Sequence, residues 1–507
     1  MRTQRFRWLF GNVLENFTAN FYTQLTAWEK EYGQVFGSYL FMTPVLCISD
    51  PQLVKQMIIK DFGIFSNRFE VSKALHEMWN KNLFSANGED WKRIRTITSP
   101  SFTSGKLKGM MSIMGHSTAK LCSYFEKVVA NKEGGGEVDT KKVMAGFSTD
   151  VISSTSFANE TDANEDPNNP FVANGRAFFA GSILRPILII LLPDFLLRLI
   201  GLNSFFPREP FEFFINMAKH IVQQRKEEEK GGTRKNDLVQ LLIDARVDQK
   251  ALDEMNYQKM TVGEGGEEEE EEVKEKKEVT THSKMQKKLD DSEVISNMVF
   301  FFVAGFETTA STLSHVLFEL AQNPNIQERL YDELKSSLGP FWEDSNENSE
   351  EYFEAVMNRV PYLEAVTKET LRKYPPVSSI GRVCNQEGYQ LGPATLYKGQ
   401  MVNIFVAAIH HNEQYYPAPL VFNPERFMPE NKHQLVPYTY LPFSLGPRNC
   451  IAMRFAYQEI FLCLAAVVRR FRFQPTAETP AELKFKPGSG LLIADPFPLR
   501  VVVRKAG

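Results

Sequence analysis

A cysteine sits in the stretch LPFSLGPRNCIAMRFA, residues 441–456, two residues after an arginine and just ahead of an apolar run that reads as the last long helix. Gly446 and Pro447 shape a tight turn in front of it. A cysteine placed there feels the positive end of the helix macrodipole and free N–H groups, and both favour thiolate over thiol. A stabilised thiolate is a nucleophile or a metal ligand, whereas most buried cysteines are inert packing groups. Arg448 adds positive charge beside Cys450, or serves an anionic cofactor. Two further groups could do chemistry. Glu307 and Thr308 stand inside an apolar helical run, where buried polar groups need partners or a purpose; the commoner habit of such a threonine is to bond back to a carbonyl one turn earlier. Glu369 and Arg372 lie three apart on one helix face and can pair.

The five cysteines (Cys47, Cys122, Cys384, Cys450 and Cys463) are odd in number, scattered and without CxxC spacing. They suggest neither a disulfide framework nor a zinc cage, and make a reducing cytosol the default. With no second ligand near Cys450, a lone thiolate would suit a metal whose other positions are filled by a macrocycle, and haem is the natural candidate. A nucleophilic and a structural cysteine both stay open on these grounds. The net charge of −4 gives no electrostatic case for nucleic acid, so a small-molecule partner fits better. A composition 43% hydrophobic and 24% charged, with 40 phenylalanines, is that of a soluble globular protein with an aromatic-rich interior.

The elements that must position these groups are mostly helical. GQVFGSYLFMTPVLCISD (34–50) predicts two short strands around a turn, and Asp50 with Pro51 caps a following helix, PQLVKQMIIKDF. Helical patterns then dominate, including 104–129 as one run and EPFEFFINMAKHIVQQRKEEEK. The apolar stretch 183–202 has the length of a membrane span but contains Arg185, Pro186, Pro193, Asp194 and Arg198; a pair of short helices on the core and a surface element dipping into one leaflet are its two readings. Residues 263–289 are a solvated, disordered acidic and basic loop. DSEVISNMVFFFVAGFETTASTLSHVLFELAQ predicts a helix about 48 Å long running through the core, with one break signal at Gly305. A helix over 360–376 ends at Pro375-Pro376, YQLGPATLYKGQMVNIFVAAIHHN reads as short strands, and GSGLLIADPFPLRVVV as a hairpin.

FSLGPRNCIA resembles the haem-binding loop of the cytochrome P-450 family, F-x-x-G-x-R-x-C-x-G, matched at Phe443, Gly446, Arg448 and Cys450. WKRIR (91–95), AGFETT (304–309), ETLR (369–372) and PERF (424–427) occur in the family's order, and the resemblance runs from about residue 30 to the end. ITSPSFTSGKLKGM, STDVISSTSF, FFPREP and GRVCNQEGYQL resemble the drug- and steroid-oxidising branch known as family three. Two departures stand in the loop: Ala452 replaces the usual glycine, and Ser444-Leu445 a pair that commonly contains one.

The resemblance implies a mainly α fold with small β-sheets, the cytochrome P-450 fold: a long central helix crossing the haem and a cysteine loop before the last long helix. It implies a single haem-thiolate domain over 31–507 after an N-terminal segment, 1–30; microsomal members of the branch usually begin with a membrane-anchor helix and a proline-rich hinge, neither of which this sequence shows, so that either the sequence lacks that first part or the protein lacks an anchor. Cys450 becomes the thiolate ligand of haem b (iron protoporphyrin IX); Trp91, Arg95, Arg382 and Arg448 bind the propionates, and Ala304, Phe443 and Gly446 line the cofactor. Glu307 and Thr308 become the acid and alcohol of a proton relay, and Glu369, Arg372 and Arg426 a buried structural lock. The implied reaction is monooxygenation of a lipophilic substrate, a steroid, fatty acid or xenobiotic, with electrons from NADPH through a cytochrome reductase, cytochrome b5 as a second partner, a membrane surface met through 183–206, and a place on the cytosolic face of the endoplasmic reticulum. A haem-thiolate isomerase or dehydratase working without reductase is the alternative.

Overall fold

The computed structural model describes residues 2–4, 11–12, 21–70, 75–130, 132, 134–179, 184–232, 237–245, 288–342, 349–487 and 490–504. The charged loop lies outside the described residues except for Lys288 and Leu289, as does half of segment 1–30.

The first elements follow the sequence. Strand β1 (Arg2–Thr3) lies parallel to β2 (Val35–Leu40), which turns back antiparallel on β3 (Thr43–Ile48). Helix α1 (Pro51–Lys55) starts where Asp50 accepts the N–H groups of Gln52 and Leu53, and then widens into a π-helical turn, Gln56–Lys60, where one regular helix was expected. Helix α2 (Gly88–Thr98) carries Trp91 and Arg95. The run 104–129 is two helices, α3 (Ser104–Lys108) and α4 (Met111–Val129), because the chain turns at Gly109 and Met110. Strand β4 (Gly136–Asp139) leads into α5 (Thr140–Phe157), capped by Asp139.

The stretch 183–202 folds as two short helices, α6 (Leu184–Leu191) and α7 (Asp194–Leu199), parted at Pro193, whose missing N–H and fixed φ end the first and start the second. Ile189, Leu197 and Leu202 pack with Leu75 in a small separate cluster, while Leu184, Phe195, Leu199 and Ile200 are exposed. The helix Arg208–Lys230 (α8) follows.

Helix α9 (Asp291–Gln322) is unbroken and starts at a capping box between Asp290 and Glu293. It is long and apolar enough to cross a membrane, yet 78% of its most apolar window is buried inside the fold, so it is the core helix. The break expected at Gly305 does not occur. A Cβ at Gly305 would come within 2.9 Å of the terminal methyl of Ile152 on α5, so the glycine lets the two helices pack closely there.

Helix α10 (Pro361–Lys373) carries Glu369 and Arg372. Strands β5 (Ile380–Val383), β6 (Tyr389–Leu391), β7 (Ala394–Leu396) and β8 (Met401–Ile404) match the strand expectation, but Val406–His410 is a helix, α11, whose apolar run carries no period to distinguish it. Helix α12 (Met453–Arg470) ends in β9 (Phe471–Pro475). The C-terminal strand β10 (Pro498–Val503) pairs with β9 and β4 and not with the stretch just before it as the expected hairpin would; among the described residues, Leu491 bridges Val377, and Ile493–Asp495 bond back antiparallel on Lys484–Lys486 around an Ala494–Phe485 bridge. The sheets have the orders β1-β2-β3-β8-β5, β4-β10-β9 and β6-β7. Their smallness beside the helices matches the mainly α expectation, and the core is built around α9 and α12.

Candidate active site

The loop from Leu441 to Ala452 is held by its own backbone. Cys450 N–H donates to Phe443 O at 2.9 Å and Asn449 N–H to Gly446 O at 3.1 Å. Gly446 has φ +72°, and a Cβ there would sit 2.0 Å from the carbonyl oxygen of Ile58 in the π-helical turn. Ser444 also occupies the left-handed region, at φ +60°, without glycine's freedom. Ala452 has φ −95° and ψ 15°, open to any residue, so the departure from glycine there strains nothing. The Phe443 ring packs on Tyr457, 5.2 Å between centroids.

Cys450 lies deep in the fold yet is exposed, so its sulfur faces a recess rather than packed neighbours. Burial pushes its thiol up, and this outweighs the downward pull of the Ala452 N–H, Arg95 and Arg68. Without a ligand on the sulfur, burial therefore outweighs the two cations and the Ala452 N–H and favours the thiol. A metal cation on the sulfur would reverse that balance, since a coordinating thiol is deprotonated outright.

Four arginines gather beside the cysteine. Arg95 donates to Asn449 O at 3.0 Å and Asn449 Oδ1 at 2.7 Å. Arg448 lies over the Trp91 ring, 4.9 Å from its centroid, and donates to the carbonyls of Ser66, Phe84 and Ala86. Arg382 donates to Gly381 O, and its Nε has no partner. Arg68, which the sequence did not single out, donates to Phe84 O at 2.7 Å. Desolvation pulls Arg448 down to about 8 and Arg95 and Arg382 to about 10, and burial and the other three arginines pull Arg68 down as well. Among the described residues no carboxylate forms an ion pair with any of the four. Arg95 and Arg382 are thus buried and are not surface ion pairs. Clustered, desolvated cations without a counter-charge fit an anionic ligand with charge-assisted acceptors, and the two propionates of haem have that chemistry.

The long helix closes the other side. Arg68 stacks on Phe84 at 4.1 Å and Phe84 on Phe300 at 5.4 Å. Phe300, Ala304 and Thr308 recur every four residues on one face of α9, and each is only half-buried where most of the helix is buried. Thr308 Oγ1 donates to Ala304 O at 2.6 Å, the local habit of a helical threonine. Glu307 points elsewhere: its carboxylate takes the Ser311 hydroxyl at 3.0 Å and an ion pair with Lys141 of α5 at 3.5 Å. The structure therefore does not join Glu307 and Thr308 directly.

Behind the loop, Arg372 clamps both oxygens of Glu369 at 2.7 and 2.8 Å and donates to the carbonyls of His410 and Pro419. Arg426 lies 3.4 Å from Glu369, and both members of the Glu369–Arg372 pair are fully buried. His410 bonds Arg372 O through Nδ1 at 3.1 Å and accepts the Leu441 N–H through Nε2 at 2.8 Å. That imidazole hands the order of the lock to the start of the cysteine loop. Lys141, Arg68 and His410 were all missed from sequence, since nothing in their local stretches marks them and only the fold brings them in.

Comparison with known proteins agrees with this geometry. The family model described as "Cytochrome P450" matches residues 1–264 and 271–501. Curated relatives include "Cytochrome P450 3A2" of Rattus norvegicus, 33% identical over 481 residues, covering 94% of this chain and 86% of the relative. "Cytochrome P450 3A9" of the same organism is 34% identical over 480 residues (94% and 86%), and "Cytochrome P450 6k1" of Blattella germanica is 32% identical over 462 residues (90% and 82%).

Proposed function

Because the chain belongs to the cytochrome P450 family, haem-dependent monooxygenases, we propose that it inserts one atom of O2 into a lipophilic substrate (a steroid, fatty acid or xenobiotic), with electrons from NADPH through a reductase. The observation that carries the reading is the recess itself: an exposed cysteine deep in the fold, the buried Arg95, Arg382 and Arg448 with the half-buried Arg68 and no counter-ion among the described residues, and the half-buried Ala304–Thr308 face opposite.

Cys450 Sγ would hold the haem iron, and Trp91, Arg95, Arg382, Arg448 and Arg68 would hold its propionates. When bound, haem supplies oxygen activation, to which a thiolate lends the electron density that favours O–O cleavage. Gly446 fixes the loop at its distance from the π-helical turn, and Phe443 anchors it on Tyr457. Thr308 Oγ1 presents a hydroxyl whose proton is spent on Ala304 O until it turns toward the recess. Glu307 takes up a proton as it leaves Lys141, and its carboxyl group then swings the short way round the helix to pass that proton to Thr308. The aromatic wall of Phe84 and Phe300 excludes water and offers apolar area, which suits substrates recognised by shape more than by hydrogen bonds.

Residues 31–507 act as one haem-thiolate domain. The exposed Leu184, Phe195, Leu199 and Ile200 support contact of the 183–206 element with a membrane surface, and with it a reductase and cytochrome b5 at the cytosolic face of the endoplasmic reticulum. The reductase-independent isomerase or dehydratase is not favoured. Reduced protein under carbon monoxide tests the assignment: a thiolate-type Soret band, lost in Cys450→Ser, and NADPH consumption that needs reductase are expected. A histidine-type band, or turnover indifferent to reductase, refutes it.

A further inference from the structure

Helix α9 carries a polar stripe that the acid and alcohol do not exhaust. Glu307, Ser311, His315 and Glu319 recur every four residues, so they stack on one face of the helix, and all four are buried. Both ends of the stripe are hydrogen-bonded. Ser311 donates to Glu307 Oε1 at 3.0 Å; Tyr374 OH donates to Glu319 Oε1 at 2.5 Å, and Lys373 Nζ lies 2.8 Å from the same oxygen. Lys373 keeps 16% of its side chain in solvent, which opens that end to water.

His315 sits in the middle, fully buried, and neither of its ring nitrogens has a hydrogen-bond partner. Its ring rests beside Tyr374, 5.0 Å between centroids, and edge-on to Phe485 at 5.6 Å. The contrast with His410 is plain, because both nitrogens of that buried imidazole are bonded, to Arg372 O and the Leu441 N–H. Burying a donor and an acceptor unsatisfied is costly, and a phenylalanine would pack among these aromatic rings without that cost.

We propose that this stripe conducts protons from the Lys373–Glu319 side of the fold to the acid Glu307, with His315 as the relay. The inference rests on the monooxygenase reading, in which Glu307 must be reloaded with protons drawn from water. Neighbours on the stripe are one helical turn apart, about 6 Å, a span that one bridging water covers. Only protons move: one enters from solvent at Glu319, passes by way of the Tyr374 hydroxyl to one imidazole nitrogen, and the other nitrogen releases one to Ser311 Oγ, whose own proton goes to Glu307 Oε1. Burial, with the nearby charge of Lys141, pulls His315 down to about 3, which suits a ring that passes protons and does not store them.

The test uses the reductase-coupled holoprotein with His315→Phe, which keeps the ring volume, and His315→Gln. Product formed per NADPH is expected to fall roughly a hundredfold in both, with hydrogen peroxide released instead, at the lower end of the scale for one lost proton-transfer group. Turnover driven by added peroxide, which brings its own protons, is expected to stay within about twofold of wild type. A readout independent of turnover is the exchange of ring N–H with D2O in the wild-type protein labelled with 15N-histidine, where His315 is expected to exchange at least about tenfold faster than His410. Unchanged coupling in the variants, or exchange at His315 as slow as at His410, overturns the proposal. A wild-type protein without a thiolate-type carbon monoxide band overturns the monooxygenase reading instead, and the NMR comparison still stands on its own.

Discussion

Two positions in the cysteine loop share a left-handed backbone, and both should be more stable as glycine than with a side chain. In Gly446→Ala the new Cβ would stand 2.0 Å from Ile58 O, so backbone must move on one side by about 1 Å before the contact becomes tolerable. The left-handed conformation costs an L-residue about 1–2 kcal/mol in its own right. Shifting the loop also strains the Cys450–Phe443 and Asn449–Gly446 hydrogen bonds, each worth about 1 kcal/mol. The expected loss is therefore about 3–4 kcal/mol. Ser444→Gly removes the left-handed cost at φ +60° and returns part of it as unfolded-chain entropy, for a net gain of about 0.5–1 kcal/mol. Equilibrium unfolding in urea, followed by tryptophan fluorescence, measures both, and the carbon monoxide band reports whether the loop still presents its sulfur. Gly446→Ala within 1 kcal/mol of wild type, or Ser444→Gly less stable than wild type, would refute the reasoning about this loop.

Arg372→Lys keeps the charge but cannot hold both Glu369 oxygens and two carbonyls together; thermal denaturation is expected to show a loss of about 3–5 kcal/mol, with haem content falling alongside. Glu459 on α12 is buried beside Ser148, one of its oxygens has no partner, and desolvation pushes it up to about 8 from 4.5. The folded state thus holds a proton the unfolded chain releases, so its contribution is full below pH 4.5 and lost as pH rises through 8. Glu459→Gln does not titrate, and its advantage over wild type in urea unfolding should grow from near zero at pH 4.5 to about 3–5 kcal/mol at pH 9, whereas a gap that does not change with pH would contradict the burial argument.

What the sequence revealed depended on how local the signal was. The 32-residue helix was legible because its apolar run and its cap lie in one stretch, and the Glu369–Arg372 pair because three residues of spacing on a helix fix a neighbourhood. Cys450 was legible through its turn and the helix behind it, whereas the burial that pushes its thiol up depends on the whole fold and leaves no local mark. Lys141 reaches Glu307 from a helix more than 160 residues earlier in the chain, and no periodicity encodes that contact. Residue type also failed to announce Ser444's positive φ, because serine is ordinary in most loops. Val406–His410 was misread as strand since a short apolar run fits either structure until its neighbours decide.

The cysteine loop is also the place where the two ends of the chain are sewn together. Arg448 reaches back 382 residues to Ser66, and Asn449 lies 354 residues from its partner Arg95, whereas the Glu369 lock gathers its partners from within about sixty residues. Closing loops of the first kind is the entropically expensive, late event in a folding chain, and closing the second comes sooner. The lock therefore asks for shorter loop closures than the seat around Cys450, which needs residues from both halves of the polypeptide in place together.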